Sequence, residues 1–354
     1  MDIRRRKPYK VDQTIQLNTK MSGGTPPPPL KFDYPISPRE NIQLMVDHKV
    51  PYWVPSMADI GMTFCPADLD RPGMLVESGY DWFGQYWEYI DSVGAQMVRP
   101  GSHLMNDPTE WKEKLIFPNL DKIDFSVGAE EEYKRIRQDP DKPIFYVLQN
   151  GMWERLIDIC PPEKVFVFLL TEPECAAEYF NAIADFKIKV IDKLVKEWVP
   201  IDCMISSDDW GTQISTFFSP DTFKDLIFEP TKRIYDFIHS KGMWVDTHSC
   251  GKIDTLAPYM VELGSDMWEA QSMNDLDMVK ATCPDLNLRV MGDSYFFERK
   301  DLTKEEVVDY VHDFVEVLGK DGGLFSFMGS SNPELFTLAN TEMFNFSRSL
   351  YGRG

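Results

Sequence analysis

Apolar residues recur along this chain in two rhythms. Short unbroken runs alternate with longer stretches in which apolar positions return every three or four residues. The runs Ile144-Phe145-Tyr146-Val147-Leu148, Ile201-Asp202-Cys203-Met204-Ile205, Met243-Trp244-Val245-Asp246-Thr247, Asp266-Met267-Trp268-Glu269, Leu288-Arg289-Val290-Met291 and Gly323-Leu324-Phe325-Ser326-Phe327-Met328 predict strands. Helices are predicted between them: over 162–198 with a break near Thr171-Glu172-Pro173, from Ser219-Pro220-Asp221 to about His239, over 253–263 up to Gly264, from the capping box Thr303-Lys304-Glu305-Glu306 to about Leu318, and over 333–350. Strands alternating with helices at this spacing imply parallel βα units. Adding Pro51-Tyr52-Trp53-Val54-Pro55 and a strand near Ala95 to Val98 gives eight strands, so the expected fold is α/β, a TIM (β/α)8 barrel.

The remainder of the chain fits around that domain. Residues 1–36 are polar, with Ser22-Gly23-Gly24 and the run Pro26 to Pro29, and read as an extended arm. The barrel domain is expected over 37–354, opening with a helix that has Ser37 as its N-cap, Pro38 in the first position and Glu40 closing a capping box. Residues 56–142 show no clear period but carry Tyr80, Trp82, Phe83, Trp87 and Tyr89, and read as an insertion with a lid or binding role.

Composition narrows the function. The 354 residues are 43% hydrophobic, enough for a large core, and their formal net charge is −20. That acidity excludes a nucleic-acid role and an anionic membrane surface, since phosphates call for dense Lys and Arg. No apolar run approaches a membrane span, and Arg4-Arg5-Arg6 leads into Lys7-Pro8-Tyr9-Lys10 and not into an apolar core, so a cytoplasmic protein is expected. The six cysteines are scattered without paired short spacings, as free thiols of a reducing compartment would be. A homodimer is compatible with all of this.

In a barrel of this class the chemistry gathers at the C-terminal ends of the strands. Those ends carry Asn150, Asp208 and Asp209, His248 and Cys250, Glu269, and Asp293. His248 and Cys250, two apart in an extended segment, point to the same side and can share a metal ion, for which imidazole and thiolate suit zinc. A third ligand is then required; Glu269 is the candidate, and Asp246 is its rival or an orienting partner for the imidazole. Asp208 and Asp209, with Glu269, are the candidate catalytic carboxylates. Asn150, Trp153, Trp210, Gln213, Asp293 and Tyr295 flank these ends as candidate contacts to a flat aromatic ligand. Each has an ordinary alternative as a cap, a turn residue or core packing.

At these residues the chain resembles the uroporphyrinogen decarboxylase superfamily. The resemblance rests on Asp208-Asp209-Trp210-Gly211-Thr212-Gln213, Ser219-Pro220 with Phe223 and Pro230, His248-Ser249-Cys250-Gly251 and Gly264-Ser265-Asp266, and extends over about residues 37 to 345. It implies either a metal-independent decarboxylase or a zinc-dependent methyltransferase that works with a corrinoid protein. The arginine-rich loop of the decarboxylases has no counterpart in Val54-Pro55-Ser56-Met57-Ala58-Asp59, whereas His248-Ser249-Cys250 is similar to the methyltransferase zinc motif. The second cysteine that coenzyme M methyltransferases carry on the last strand is missing from Ser326-Phe327-Met328-Gly329. Asp81-Trp82-Phe83-Gly84, with Trp111 and Phe117-Pro118, resembles the O-demethylase methyltransferases of anaerobic bacteria. The implied activity moves a methyl group from a methoxylated aromatic compound to the reduced cobalt of a partner corrinoid protein, with Zn2+ on His248, Cys250 and Glu269. The alternatives are a decarboxylase of the uroporphyrinogen type and a non-catalytic member that binds a ligand or corrinoid.

Overall fold

The computed structural model describes residues 30, 32–68, 70–71, 77–92 and 94–353. Most of the expected N-terminal arm lies outside them. The described residues divide into two compact units: a central one within 62–138 and 144–265, and a terminal one within 30–61, 139–143 and 266–353.

The parallel strands of the central unit are β1 (Gly61–Thr63), β5 (Ile144–Leu148), β6 (Cys203–Ser207) and β7 (Trp244–His248), neighbours in that order. Its other three strands, β2 (Gly79–Tyr80), β3 (Tyr86–Ile90) and β4 (Ala95–Met97), form a separate antiparallel sheet. Phe145, Met204 and Val245 are fully inaccessible, as expected of parallel strands covered on both faces. The helices Pro162–Thr171 and Pro173–Glu197 are separated at Glu172, because Pro173 cannot continue the preceding helix. Past Ser219, whose side chain caps the helix start, the backbone widens into a π-turn over Phe223–Phe228 just before Pro230, which has no N–H for the ordinary ladder.

In the terminal unit β8 (Met267–Glu269), β9 (Asn287–Met291) and β10 (Leu324–Phe327) pair in parallel. Capping boxes start the helices Pro38–Val46 and Lys304–Leu318, and the helix Pro333–Leu350 packs against the latter. Parallel strands alternating with helices give the α/β, TIM-like architecture.

Two strand expectations are corrected. Pro51–Pro55 is buried but is not a strand. Side chains take three of its backbone groups, with Tyr52 N–H donating to Asn41 Oδ1 (2.7 Å), Val54 N–H to Ser347 Oγ (3.0 Å) and Asn41 Nδ2 to Trp53 O (3.0 Å), while Pro55 O accepts from the backbone N–H of Ser326 (2.8 Å). The first parallel strand is β1, ten residues later by the start of each segment. The strand near Ala95 also falls outside the parallel series, because β4 pairs antiparallel with β3 (Tyr89 opposite Gln96). Seven strands therefore make up the parallel series among the described residues, and the 56–142 insertion holds an ordered sheet.

A buried ion network holds that insertion to the rest of the central unit. Arg155 is almost fully inaccessible and donates to the carboxylates of Asp70 and Asp81 and to Asp70 O (2.9 Å). Lys187 donates to Asp70 and to the carbonyl of Gln149, and Trp87 Nε1 to Asp81 Oδ2 (2.9 Å). Burial alone would raise the Asp70 pKa, but Lys187 and Arg155 outweigh it and hold the carboxylate ionised below its usual range. Asp68, which accepts from Tyr146 Oη at 2.5 Å, is pushed up to about 6 by burial and by the Asp70 charge.

Candidate metal centre at the ends of two parallel strands

The pairing of β6 with β7 sets Ser207 opposite His248, and Asp208 N–H to His248 O (3.1 Å) extends the ladder one residue further. The next residues, Asp209 after β6 and Cys250 after β7, are thereby brought together: Cys250 N–H donates to Asp209 Oδ1 at 2.7 Å. His248 Nε2 lies 3.7 Å from Cys250 Sγ and 3.7 Å from Asp209 Oδ1. All three ligand atoms fall within 4.8 Å of one another, the one such His/Cys/acid group among the described residues. Ser249, between the two β7 ligands, is fully buried and accepts from Trp210 N–H (2.9 Å), so it faces away from them as strand alternation requires.

Two glycines permit the approach. Gly251 has φ +96°, and a Cβ there would lie 2.3 Å from the Gly211 carbonyl carbon. A Cβ on Gly211 would lie 2.6 Å from Ile253 Cγ2. The two loops can therefore cross in contact, locked by Lys252 N–H to Thr212 O (2.7 Å). Bond lengths of about 2.0–2.3 Å and tetrahedral angles put zinc ligand atoms roughly 3.3–3.6 Å apart. The spacing in this cluster, and its imidazole, thiolate and carboxylate donors, fit such an ion.

Asp208 has a different environment. Its carboxylate is buried against the first turn of the helix Met152–Ile159, accepting from Trp153 N–H (3.1 Å) and Glu154 N–H (2.9 Å). Only glycine fits at 151, where a Cβ would lie 2.0 Å from Asp208 Cβ. Burial and then the Glu154 charge raise the Asp208 pKa to about 7, against the lowering effect of the helix N–H groups.

The other expected site residues are distributed as follows. Asn150, buried with φ +54°, accepts from Arg71 Nη2 at 3.2 Å, and Arg71 also pairs with Glu154 (2.8 Å). Trp153 packs against Phe166, Phe217 and Phe218, and Trp210 against Phe223, both fully enclosed. Gln213 is exposed in the turn that Lys252 holds. Asp246 is buried within β7 and outside the ligand group. Glu269 belongs to the terminal unit, where Arg289 pairs with it. Asp293 Oδ1 accepts from Tyr295 N–H (2.9 Å) at the start of the short helix Ser294–Phe297, and Tyr295 is exposed. The sequence reading left out Arg71 and Arg289. The signal for Arg289 was a lone charge inside the apolar run Leu288-Arg289-Val290-Met291.

These features define an α/β protein of TIM-like class with a candidate His, Cys and Asp metal centre at adjacent strand ends. Residues 156–314 match the uroporphyrinogen decarboxylase (URO-D) family model. Among solved structures it is similar to a methyltransferase from Methanosarcina mazei, with a TM-score of 0.61 at 13% identity over 87% of this chain and 98% of that one. An Old Yellow Enzyme from Pichia sp. AKU4542 is more distant, with a TM-score of 0.37 at 10% identity over 64% of this chain and 70% of that one. A 3-keto-D-glucoside 4-epimerase from E. coli has a TM-score of 0.35 at 12% identity over 62% of this chain and 84% of that one. No curated protein matches the chain.

Proposed function

We propose that this protein is a corrinoid-dependent methyltransferase that removes the methyl group from a methoxylated aromatic compound. The observation that carries the reading is the Asp209, His248 and Cys250 cluster, whose spacing and donor set suit zinc. The likeness of fold to a protein described as a methyltransferase is in keeping with it. Asp209 takes the third-ligand role that the sequence suggested for Glu269. When bound, zinc supplies Lewis acidity toward the ether oxygen of the methyl donor.

The chain's own residues then have separate tasks. His248 and Cys250 present their donor atoms from one face of β7, and the Cys250 N–H keeps the Asp209 carboxylate turned toward them. Asp208 fixes the helix Met152–Ile159 against the end of β6. With a pKa near neutrality it is also the carboxyl that can hold a proton at working pH for the departing phenolate. The methyl carbon passes from the aryl oxygen to the reduced cobalt of a partner corrinoid protein, and the electrons of the broken bond stay on that oxygen. Gln213 remains a candidate substrate contact, and the ordered insertion of the same unit is the candidate docking face for the partner.

The test mixes zinc-loaded protein, a methoxylated benzoate and a reduced corrinoid protein, and follows the methyl-cobalt absorption band. Its appearance at the expense of the aryl ether, and its loss in His248→Ala and Cys250→Ala, is the expected result. Absence of methyl transfer from every aryl ether tried, with the metal in place, would overturn the proposal.

A further inference from the structure

The corner between β5 and the helix Met152–Ile159 is under strain. Asn150 is buried and has φ +54°, in the left-handed region, which asparagine enters more readily than most residues but only glycine enters without penalty. The next residue presses on β6: a Cβ on Gly151 would lie 2.0 Å from Asp208 Cβ. Backbone in a sparsely populated conformation persists only where its surroundings hold it, and such positions gather at functional sites.

Part of the hold on this corner comes from the insertion. Arg71 Nη2 donates to Asn150 Oδ1 (3.2 Å) and to Glu154 Oε1 (2.8 Å), so one guanidinium nitrogen spans the corner and the first turn of the helix. Trp87 of β3 fixes the guanidinium in turn, its ring centroid 4.6 Å from the Arg71 Cζ. Glu154 Oε2 accepts from Gly151 N–H (3.3 Å), and Lys187 holds the carbonyl of Gln149 on the other side of the corner.

From the corner to the candidate metal centre the path is short. The amides of Trp153 (3.1 Å) and Glu154 (2.9 Å) donate to the Asp208 carboxylate, and Asp208 N–H donates to His248 O (3.1 Å). Asp209, the next residue, accepts from Cys250 N–H (2.7 Å). Hydrogen bonds to charged groups, as three of these are, contribute more than neutral ones.

We propose that Arg71 is a positioning residue: it carries the hold of the insertion through the Asn150 to Glu154 corner to Asp208, and so keeps Asp209 in place beside His248 and Cys250. Its bearing on chemistry rests on the methyl-transfer reading. The hold itself is measured on the metal-free chain without turnover, so either can fail while the other stands.

The experiment is amide hydrogen exchange of the full chain, followed residue by residue by NMR. In Arg71→Met, exchange at Trp153, Glu154, Asp208 and Cys250 should quicken about tenfold, as loss of one charge-assisted hydrogen bond gives, while the amides of Phe145 to Val147 and of Val245 to Thr247 stay protected. Adding Asn150→Gly should return protection toward that of the parent, because glycine removes the strain that Arg71 opposes. A residue that merely anchored the insertion would gain nothing from glycine at 150. Unchanged exchange at Asp208 and Cys250 in Arg71→Met would overturn the proposal, as would loosening that spreads through β5 and β7 or that Asn150→Gly fails to reverse.

Discussion

The central unit holds two clusters of ionisable side chains that are built on opposite terms. In the network of Asp70, Asp81, Arg155 and Lys187 every carboxylate meets a cation directly, and no water is needed between them. In the Asp209, His248 and Cys250 cluster His248 Nε2 stands 3.7 Å from both Cys250 Sγ and Asp209 Oδ1, a spacing that suits atoms sharing one metal ion. The first is saturated and mechanical, tying the insertion to the helices Met152–Ile159 and Pro173–Glu197. The second is held open by backbone, through two glycines and one amide hydrogen bond, and is the candidate for chemistry. The saturated cluster therefore reads as structure, and the half-exposed cluster of mixed donor type as the candidate site.

If that division is right, disrupting the saturated network should have the largest effect on stability. Arg155→Met leaves Asp70 and Asp81 without their shared cation, and removing one partner of a buried pair costs about 3–5 kcal/mol. Chemical denaturation should show that loss, and a variant as stable as the parent would show the network to be dispensable. Gly251→Ala comes next. It adds a methyl group at φ +96°, 2.3 Å from the Gly211 carbonyl carbon, and should destabilise by roughly 1–2 kcal/mol for the backbone alone, with metal affinity falling as the loops separate. An unchanged melting temperature and metal content would mean that the loops can part freely.

The same contrast explains what was legible in the sequence. The β5, β6 and β7 runs and the His-x-Cys spacing are local patterns, so both strand ends and the candidate pair of ligands on β7 could be read directly. Asp209 as a partner of that pair depends on the register of Ser207 against His248, which no spacing within one strand reports. Glu269 looked equivalent because it too ends an apolar strand, and its pairing with Arg289 comes from cross-strand register. Pro51–Pro55 misled for a related reason: its apolar run is real, but the side chains of nearby Asn41 and of Ser347, far along the chain, take hydrogen bonds of Tyr52, Trp53 and Val54 that a sheet would have used. The salt network joins Asp70 to Lys187 across more than a hundred residues, and composition carries no trace of such a pairing.

A smaller effect on stability comes from Asp208. The Asp208 carboxyl titrates near 3.8 in an ordinary environment and at about 7 in the fold. Between those values the folded chain holds a proton that the unfolded chain has released, so stability from this group is complete below about pH 4. It is lost as pH rises through about 7, and is level above that. Asp208→Asn should flatten this part of the stability profile between pH 5 and 7.5. Identical slopes in the parent and the Asp208 variant would show that the buried carboxyl is not protonated in the fold.

The smallest effect on stability should accompany the largest on chemistry. His248 and Cys250 are partly exposed, and neither belongs to the saturated network, so His248→Ala and Cys250→Ala should change metal-free stability by no more than about 1 kcal/mol. Both should nevertheless abolish near-stoichiometric zinc. The third position is decided by a pair: Asp209→Asn should weaken zinc binding, and Glu269→Gln should leave it intact. The reverse outcome would move the ligand to Glu269 and would mean that the 3.7 Å approach of Asp209 to His248 serves only to orient the imidazole. Because Asp209 also accepts the Cys250 amide, the asparagine variant keeps that hydrogen bond through its own carbonyl oxygen. Any loss of metal in it therefore reports the missing negative charge and not a collapsed loop.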